Sequence, residues 1–256
     1  MSRQSPLKGK PLRVPGQSLD AEIDYWVNDH FFDYAFAAGS LCVLASTEWF
    51  GYLTNARRYP VFYSAVAGIA VAVMIFRALT IRKKVKDLRL GRDGERAVGQ
   101  FLERLRDGGG QVFHDVPGEG FNLDHVVVCT HGIYAIETKT WTKPWPKAAI
   151  TVSGDQLLVA GKKPDRNPMD QAAAVAKWLE QVLEESTGKQ FRVRGVVVFP
   201  SWWIEQRSPR GSVWVLEPKA LPAFIQQEPE SIVASDVALA ASHLSRYVRS
   251  MAERSG

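Results

Sequence analysis

Cysteine is scarce: the 256 residues contain two, Cys42 and Cys129. That excludes a disulfide framework and leaves a thiolate zinc site short of ligands. It fits a catalytic region held in a reducing compartment. No internal repeat is visible. Neither sign of charge dominates, with 32 Lys and Arg against 27 Asp and Glu and a net charge of +5. That balance permits binding to nucleic acid or anionic lipid and proves neither. A cleaved signal peptide is also not expected, because the first apolar run begins after roughly thirty mostly polar residues.

Charge is missing from two stretches. Tyr34–Leu53 is mostly apolar, with Glu48 inside it and Asp33 at its edge. Val61–Leu79 carries no charge before Arg77. Each has about the length needed to cross a bilayer, and a short segment, Thr54–Pro60, joins them. The pattern predicts a transmembrane helical hairpin over residues 31–81. Arg82, Lys83, Lys84, Lys86, Arg89 and Arg92 follow the second run, and Arg3, Lys8, Lys10 and Arg13 precede the first, whereas the connection has only Arg57 and Arg58. Basic residues gather on the cytoplasmic side, so both termini are expected there. Residues 1–30, with Pro6, Pro11 and Pro15, read as a disordered or interfacial tail. The Arg82–Arg92 cluster reads most simply as a headgroup anchor.

From residue 90 to 256 the chain reads as an α/β domain. Val98, Phe101, Leu102 and Leu105 recur at helical spacing over Arg92–Arg106, and Gly108-Gly109-Gly110 stops that helix. Gln111–Val116, Asn122–Cys129 and Ile133–Lys139 read as strands. Ala149–Ala160 reads as a hairpin turning at Ser153-Gly154-Asp155. Asn167-Pro168 supplies an N-cap and a proline at the first helical position, opening a helix that Gly188 ends. Val193–Phe199 and Val213–Leu216 read as strands and Ile232–Met251 as a last amphipathic helix. The order predicts helices around a mixed sheet.

Charged residues on the apolar strands mark the chemistry. Asp124 opens one strand; Glu137 and Lys139, sharing a face at i and i+2, close the next. Packing does not need charge there, since unpaired buried charge is costly. Metal-assisted phosphodiester chemistry does: two acids to hold a hard cation and a lysine beside the phosphate. Glu95, in the first turn of its helix, lies at the edge of an apolar stripe. Gln171 lies in the first turn of another helix, on the face of Val175, Trp178 and Val182.

Four motifs in this order, Gly-x-x-Gly-Glu at Gly91–Glu95, Asp-x-Val-Val-Val from Asp124, Ile-Glu-Thr-Lys from Ile136 and Pro-x-x-Gln at Pro168–Gln171, resemble the nuclease-related (NERD) domain of the PD-(D/E)XK superfamily. The resemblance spans about residues 91–199 and departs from the superfamily pattern at Leu123, where a proline usually precedes the first acid. It implies a restriction-endonuclease-like mixed sheet flanked by helices and a Mg²⁺- or Mn²⁺-dependent nuclease acting on nucleic acid, DNA foremost. It implies Asp124 and Glu137 as metal ligands, with the Thr138 carbonyl as a further one. Lys139 would orient water or stabilise charge, Glu95 would assist, and Gln171 would hold Lys139, the water or the phosphate. It also implies a bacterial plasma membrane with the catalytic domain cytoplasmic.

The alternative is a membrane-tethered binding or assembly module on the same fold without catalysis. Glu137–Lys139 also fits a cross-strand surface pair, Glu95 a helix-dipole partner and Gln171 a solvent-facing side chain. His114-Asp115 fits a base or metal pair, but core or turn roles suit His114, His125 and His131 better. Lys143, Lys147, Lys162, Lys163, Arg166, Arg192 and Arg194 could line a groove for a phosphate backbone, and Trp141, Trp145, Trp202 and Trp203 could stack bases.

Overall fold

The computed structural model describes residues 12–54, 59–206 and 211–254. They form two compact units, one of Leu19–Leu90 and one of the N-terminal residues to Ser18 together with Gly91 onward. The basic residues Arg3, Lys8, Lys10, Arg57 and Arg58 lie outside the described residues, so the predicted orientation rests on sequence alone.

The first unit is helical. Helix α1 (Gln17–Asp24) continues through a π-helical stretch, Tyr25–Phe31, into α2 (Phe32–Leu53), and α3 runs from Pro60 to Leu102. Ile23, Ile81 and Val85 are buried together beside Trp26, Val27, Phe31 and Leu88. Nearer the connection small residues are covered, Ala38, Ala45 and Gly51 on α2 and Ala67 on α3. Trp49 Nε1 donates to Ser64 Oγ at 2.8 Å. Glu48 is buried, and its carboxylate accepts the Tyr59 N–H at 3.3 Å.

One sequence expectation is met in part here, and one needs correction. Among the described residues, the helix that includes α3 alone is long and apolar enough to cross a membrane, with mean hydropathy 2.1 over its best window. Only 11% of that window is buried, leaving Phe62, Ile69, Val73, Ile75, Phe76 and Leu79 bare. The first run is helical too, but Ser40, Ser46, Thr47 and Glu48 dilute it, so the structure offers one candidate span rather than two. The helix expected over Arg92–Arg106 is not separate either. No proline lies between Thr80 and Leu102, and α3 continues through the three glycines there to a single 3₁₀ turn at Glu103–Leu105.

The second unit is mixed α/β, as the element order predicts. Strands β1 (Gln111–Pro117), β2 (Asn122–Cys129) and β3 (Gly132–Thr138) form an antiparallel meander. A small hairpin follows, β4 (Ala149–Ser153) and β5 (Gln156–Val159). Helix α4 (Pro168–Thr187) then crosses over to β6 (Val193–Val198), which lies parallel to β3. Strand β7 (Trp203–Gln206) joins the hairpin as a separate three-stranded sheet, ordered β5-β4-β7. Strand β8 (Trp214–Leu216) completes the main sheet, ordered β1-β2-β3-β6-β8, and α5 (Leu221–Gln226) and α6 (Ala234–Arg254) finish the unit. The hairpin is the one expected over Ala149–Ala160; β7 and α5 escape a reading by periodicity because each is only a few residues long.

Local chemistry places α4. The Asn167 side chain accepts the Met169 N–H at 3.1 Å, Pro168 fills the first turn, and Gly188 ends the helix at φ +71°. Its buried stripe is Met169, Ala172, Ala176, Leu179 and Leu183. That is offset from the expected stripe, and Val175 and Trp178 are only partly covered. Small residues at the centre let α4 approach the sheet closely: a Cβ on Gly195 of β6 would stand 2.7 Å from the Ala172 carbonyl oxygen. That oxygen is helix backbone and cannot move aside. Gly195→Ala is therefore expected to cost about 1–3 kcal/mol of stability through overpacking. Equilibrium denaturation of the variant beside the parent measures it, and unchanged stability would show that the helix can slide.

Candidate active site

Strand β3 ends at Glu137-Thr138, and Lys139 follows it, beside the first turn of α4. Glu137 is 6% exposed, so its carboxylate must find partners to offset lost hydration. Its Oε1 accepts Lys139 Nζ at 2.6 Å and Gln171 Nε2 at 2.7 Å. Lys139 Nζ also donates to Gln171 Oε1 at 3.0 Å, closing a triangle of three side chains. The Lys139 backbone N–H donates to the Val198 carbonyl at 2.9 Å, extending the parallel pairing past the end of β3.

Asp124 joins from β2. Its Oδ2 accepts the Thr138 N–H at 2.6 Å, which ties the first acid to the backbone between the second acid and the lysine. Glu95 comes from α3, where it is 8% exposed next to the fully buried Val98 and Leu102. Gly94 explains its approach: a Cβ there would meet Thr140 Cγ2, so only glycine lets this turn of α3 reach the chain just after Lys139. The backbone of Gly16 lies within reach of the Glu95 carboxyl group, where its N–H favours the ionised form.

The acids sense one another. Burial, then the charges of Glu137 and Glu95, holds the Asp124 carboxyl well above the usual carboxylate range, against the pull of the Thr138 N–H and Lys139. Burial, with Asp115 and Glu137 adding repulsion, raises Glu95 to about 7. A carboxyl group poised there can give or take a proton near neutral pH.

The strands are not regular at this point. Phe113 and Val116 share one core, as do Leu123 and Val126, although each pair is three residues apart. Alternation therefore slips at Asp115, whose φ is +49°, and at its opposite number Asp124. The His114-Asp115 pair divides. His114 and His125 face each other across β1 and β2, Nδ1 to Nδ1 2.8 Å, with His114 Nε2 3.0 Å from Glu103 Oε1. Burial lowers both imidazole pKa values, so these are neutral core histidines. His131 Nδ1 meets the Glu228 carbonyl at a turn.

The aromatic and basic candidates divide as well. Trp202 is buried, its Nε1 donating to the Trp141 carbonyl at 2.9 Å, so its face serves the core rather than a base. Trp145 and Trp203 are exposed. Arg192 and Arg194 flank the start of β6, while Glu137 pairs in register with Val197 near its end. Those arginines lie at the opposite end of the strands from the acids, and Arg194 is spent on Glu228 and the face of Trp214.

Residues 90–200 match the nuclease-related domain family, NERD. A stretch of 125 residues is also 28% identical to an uncharacterized protein of Bacillus anthracis, covering 46% of this chain and 57% of that protein. The matched stretch thus spans little more than half of that relative's length. No solved structure matches the chain. The NERD match holds Glu95, Asp124, Glu137, Lys139 and Gln171, the five side chains that converge here.

The oxygen donors suit a hard cation. Asp124 and Glu137 each keep a second carboxylate oxygen to which no protein donor is assigned among the described residues. No group of three His, Cys, Asp or Glu side chains stands ready to hold a metal among those residues. A cation would therefore rest on the two acids with water and phosphate completing its shell, as Mg²⁺ commonly does.

Proton linkage at Glu95 can be measured directly. The folded chain holds this proton more tightly than the unfolded chain, so stability is greatest at acid pH and falls as pH rises from the ordinary carboxylate range through about 7. Raising the group from 4.5 to about 7 corresponds to a loss on the order of 3 kcal/mol by pH 8. Glu95→Gln should flatten that slope in denaturation profiles taken from pH 4.5 to 8. A profile as steep as the parent's would place the titration elsewhere.

Proposed function

We propose that this chain is a membrane-tethered, metal-dependent nuclease that hydrolyses nucleic-acid phosphodiester bonds, with DNA as its substrate, on a restriction-endonuclease-like fold. One observation carries the reading: within the NERD match, two acids from adjacent strands are joined through Thr138 at the spot where a lysine and a glutamine from α4 close on the second acid.

Asp124 and Glu137 would hold Mg²⁺ or Mn²⁺, whose charge polarises the phosphate and lowers the pKa of the attacking water. Lys139 sits where it can turn from Glu137 toward a phosphate oxygen and offset the charge that builds there. Gln171 holds Lys139 and Glu137 in one orientation and keeps an amide for the water. Glu95 takes the proton from that water, a task suited to a carboxyl group poised near neutrality.

The tether rests on the apolar half of α3 and on Arg82, Lys83, Lys84, Lys86 and Arg89, which follow it as a cationic collar. The first apolar run is helical as α2, so a second crossing beside α3 has a segment to supply it. If α3 crosses a bilayer, α2 is the return path. Because basic residues gather on the cytoplasmic side, the collar supports a nuclease unit in the cytoplasm at a bacterial plasma membrane.

Purified full-length chain in lipid nanodiscs, given Mg²⁺ or Mn²⁺ and labelled single- and double-stranded DNA and RNA, tests the proposal. Cleavage is expected with a divalent ion and not with EDTA. Glu137→Ala, Asp124→Asn and Lys139→Ala should each lower the rate by roughly 10²–10³. Full activity in Glu137→Ala would assign the cutting to a contaminant. Binding without cleavage by the parent would favour the non-catalytic module.

A further inference from the structure

Asp115, another acid near the site, has both of its carboxylate oxygens claimed by protein donors. It is 1% exposed and sits in the left-handed backbone region at φ +49°, a conformation that aspartate adopts more readily than most residues. Its Oδ2 accepts the Arg13 guanidinium and the Ser18 N–H, each at 3.0 Å, and its Oδ1 accepts the Ser18 hydroxyl at 2.6 Å. All three donors come from a short segment about a hundred residues away in sequence. Asp115 is therefore no metal ligand; it is a clamp.

Between its two anchors the segment lies along α3. A Cβ on Gly99 would stand 2.7 Å from Pro15 Cγ, and one on Gly16, at φ +72°, would stand 2.8 Å from Arg92 Cγ. Arg92, Glu95 and Gly99 lie on one face of a helix, at successive spacings of three and four. Pro15 and Gly16 thus bracket Glu95 from both sides, and the Gly16 N–H reaches its carboxyl group. A strap that only closed the core could be held by apolar side chains, without a buried carboxylate that is costly to desolvate and a half-buried guanidinium to meet it. Here the ionic clamp fixes the segment at both ends while its middle delivers one N–H to a buried acid.

We infer that Arg13–Ser18 is a built part of the active site: clamped by Asp115, it positions Glu95 through the Gly16 N–H, with Arg13, Ser18 and Asp115 as positioning residues. The inference rests on the proposed role of Glu95 in assisting the attacking water. It makes the nuclease unit discontinuous, completed by residues that precede the helical segment.

Hydrogen–deuterium exchange and cleavage kinetics on the full-length chain in nanodiscs test the two ideas separately. In the parent, peptides covering residues 12–18 should exchange at least about tenfold more slowly than a free peptide. Ser18→Ala, which removes a clamp donor, and Gly99→Ala, which crowds Pro15 while favouring the helix, should abolish most of that protection. Glu95→Ala touches the strap only at Gly16 and should speed exchange there by about threefold or more. In Mn²⁺-supported cleavage, Ser18→Ala and Gly99→Ala should lower kcat by about tenfold and leave KM within about twofold. Arg13→Lys should retain most of the activity. In a Glu95→Gln background neither strap variant should lower the residual kcat further, because both act through that side chain.

Free-peptide exchange of the strap in the parent, exchange unaffected by Glu95→Ala, or additive losses in the Glu95→Gln background would each overturn the inference. A protected strap coupled to Glu95 in a chain that cuts no nucleic acid would uphold the strap and overturn the nuclease reading alone.

Discussion

The architecture of the site follows from one constraint: a carboxylate cannot be withdrawn from water without donors to replace it. Glu137 sits at the end of a strand whose preceding residues are apolar and buried. Its position is tenable because Lys139 reaches back from two residues on and Gln171 reaches across from α4. The same requirement recurs at each neighbour. Asp124 takes a backbone N–H, Glu95 takes another, and Asp115 takes a guanidinium, a hydroxyl and an N–H. Each acid is met by a different segment, so the cluster links α3, β1, β2, β3, α4 and the N-terminal strap at one point.

Bringing those segments together is a matter of volume. Gly94 admits Thr140, Gly99 admits Pro15, and Gly195 admits the backbone of α4. At each of these contacts a missing side chain sets the distance between two elements that carry polar groups into the site. The large buried residues, among them Leu102, Leu123, Leu179 and Phe199, fill the layers on either side without entering the acid cluster. Glycine in the Gly-x-x-Gly-Glu motif thus has a packing reason at its second position, independent of any chemistry.

Much of the second unit was legible because its elements are long and punctuated. The valine-rich strands, the Asn-Pro helix start and the Gly188 stop each carry a local signal that tertiary packing left intact. The partnership of Glu137 and Lys139 could be read from period-two spacing alone. The contributions of Asp115 and Gly16 could not, since they arise from a pairing between residues far apart in sequence and from a slip in strand alternation that periodicity does not announce. Gln171 does meet Glu137 and Lys139, although the helix face inferred from its apolar neighbours was displaced by one position. In the helical unit, apolar content alone suggested two spans, and the hydroxyl and acidic residues of α2 explain why only α3 meets the measure.

The crossover from β3 to β6 has a kinetic consequence. Strands β1, β2 and β3 are consecutive and antiparallel, so they can zip from local turns, whereas β6 pairs with β3 only after more than fifty intervening residues have been threaded into the hairpin and α4. Long-range parallel pairing is the slow step of such topologies. Until it is complete, Glu137 has Lys139 but lacks Gln171, and the meander exposes a row of unsatisfied amides along β3. A nascent chain therefore passes through a stage in which Asp124 already accepts the Thr138 N–H while Glu137 still waits for its partner from α4. The polar cluster closes with the docking of α4, not with collapse.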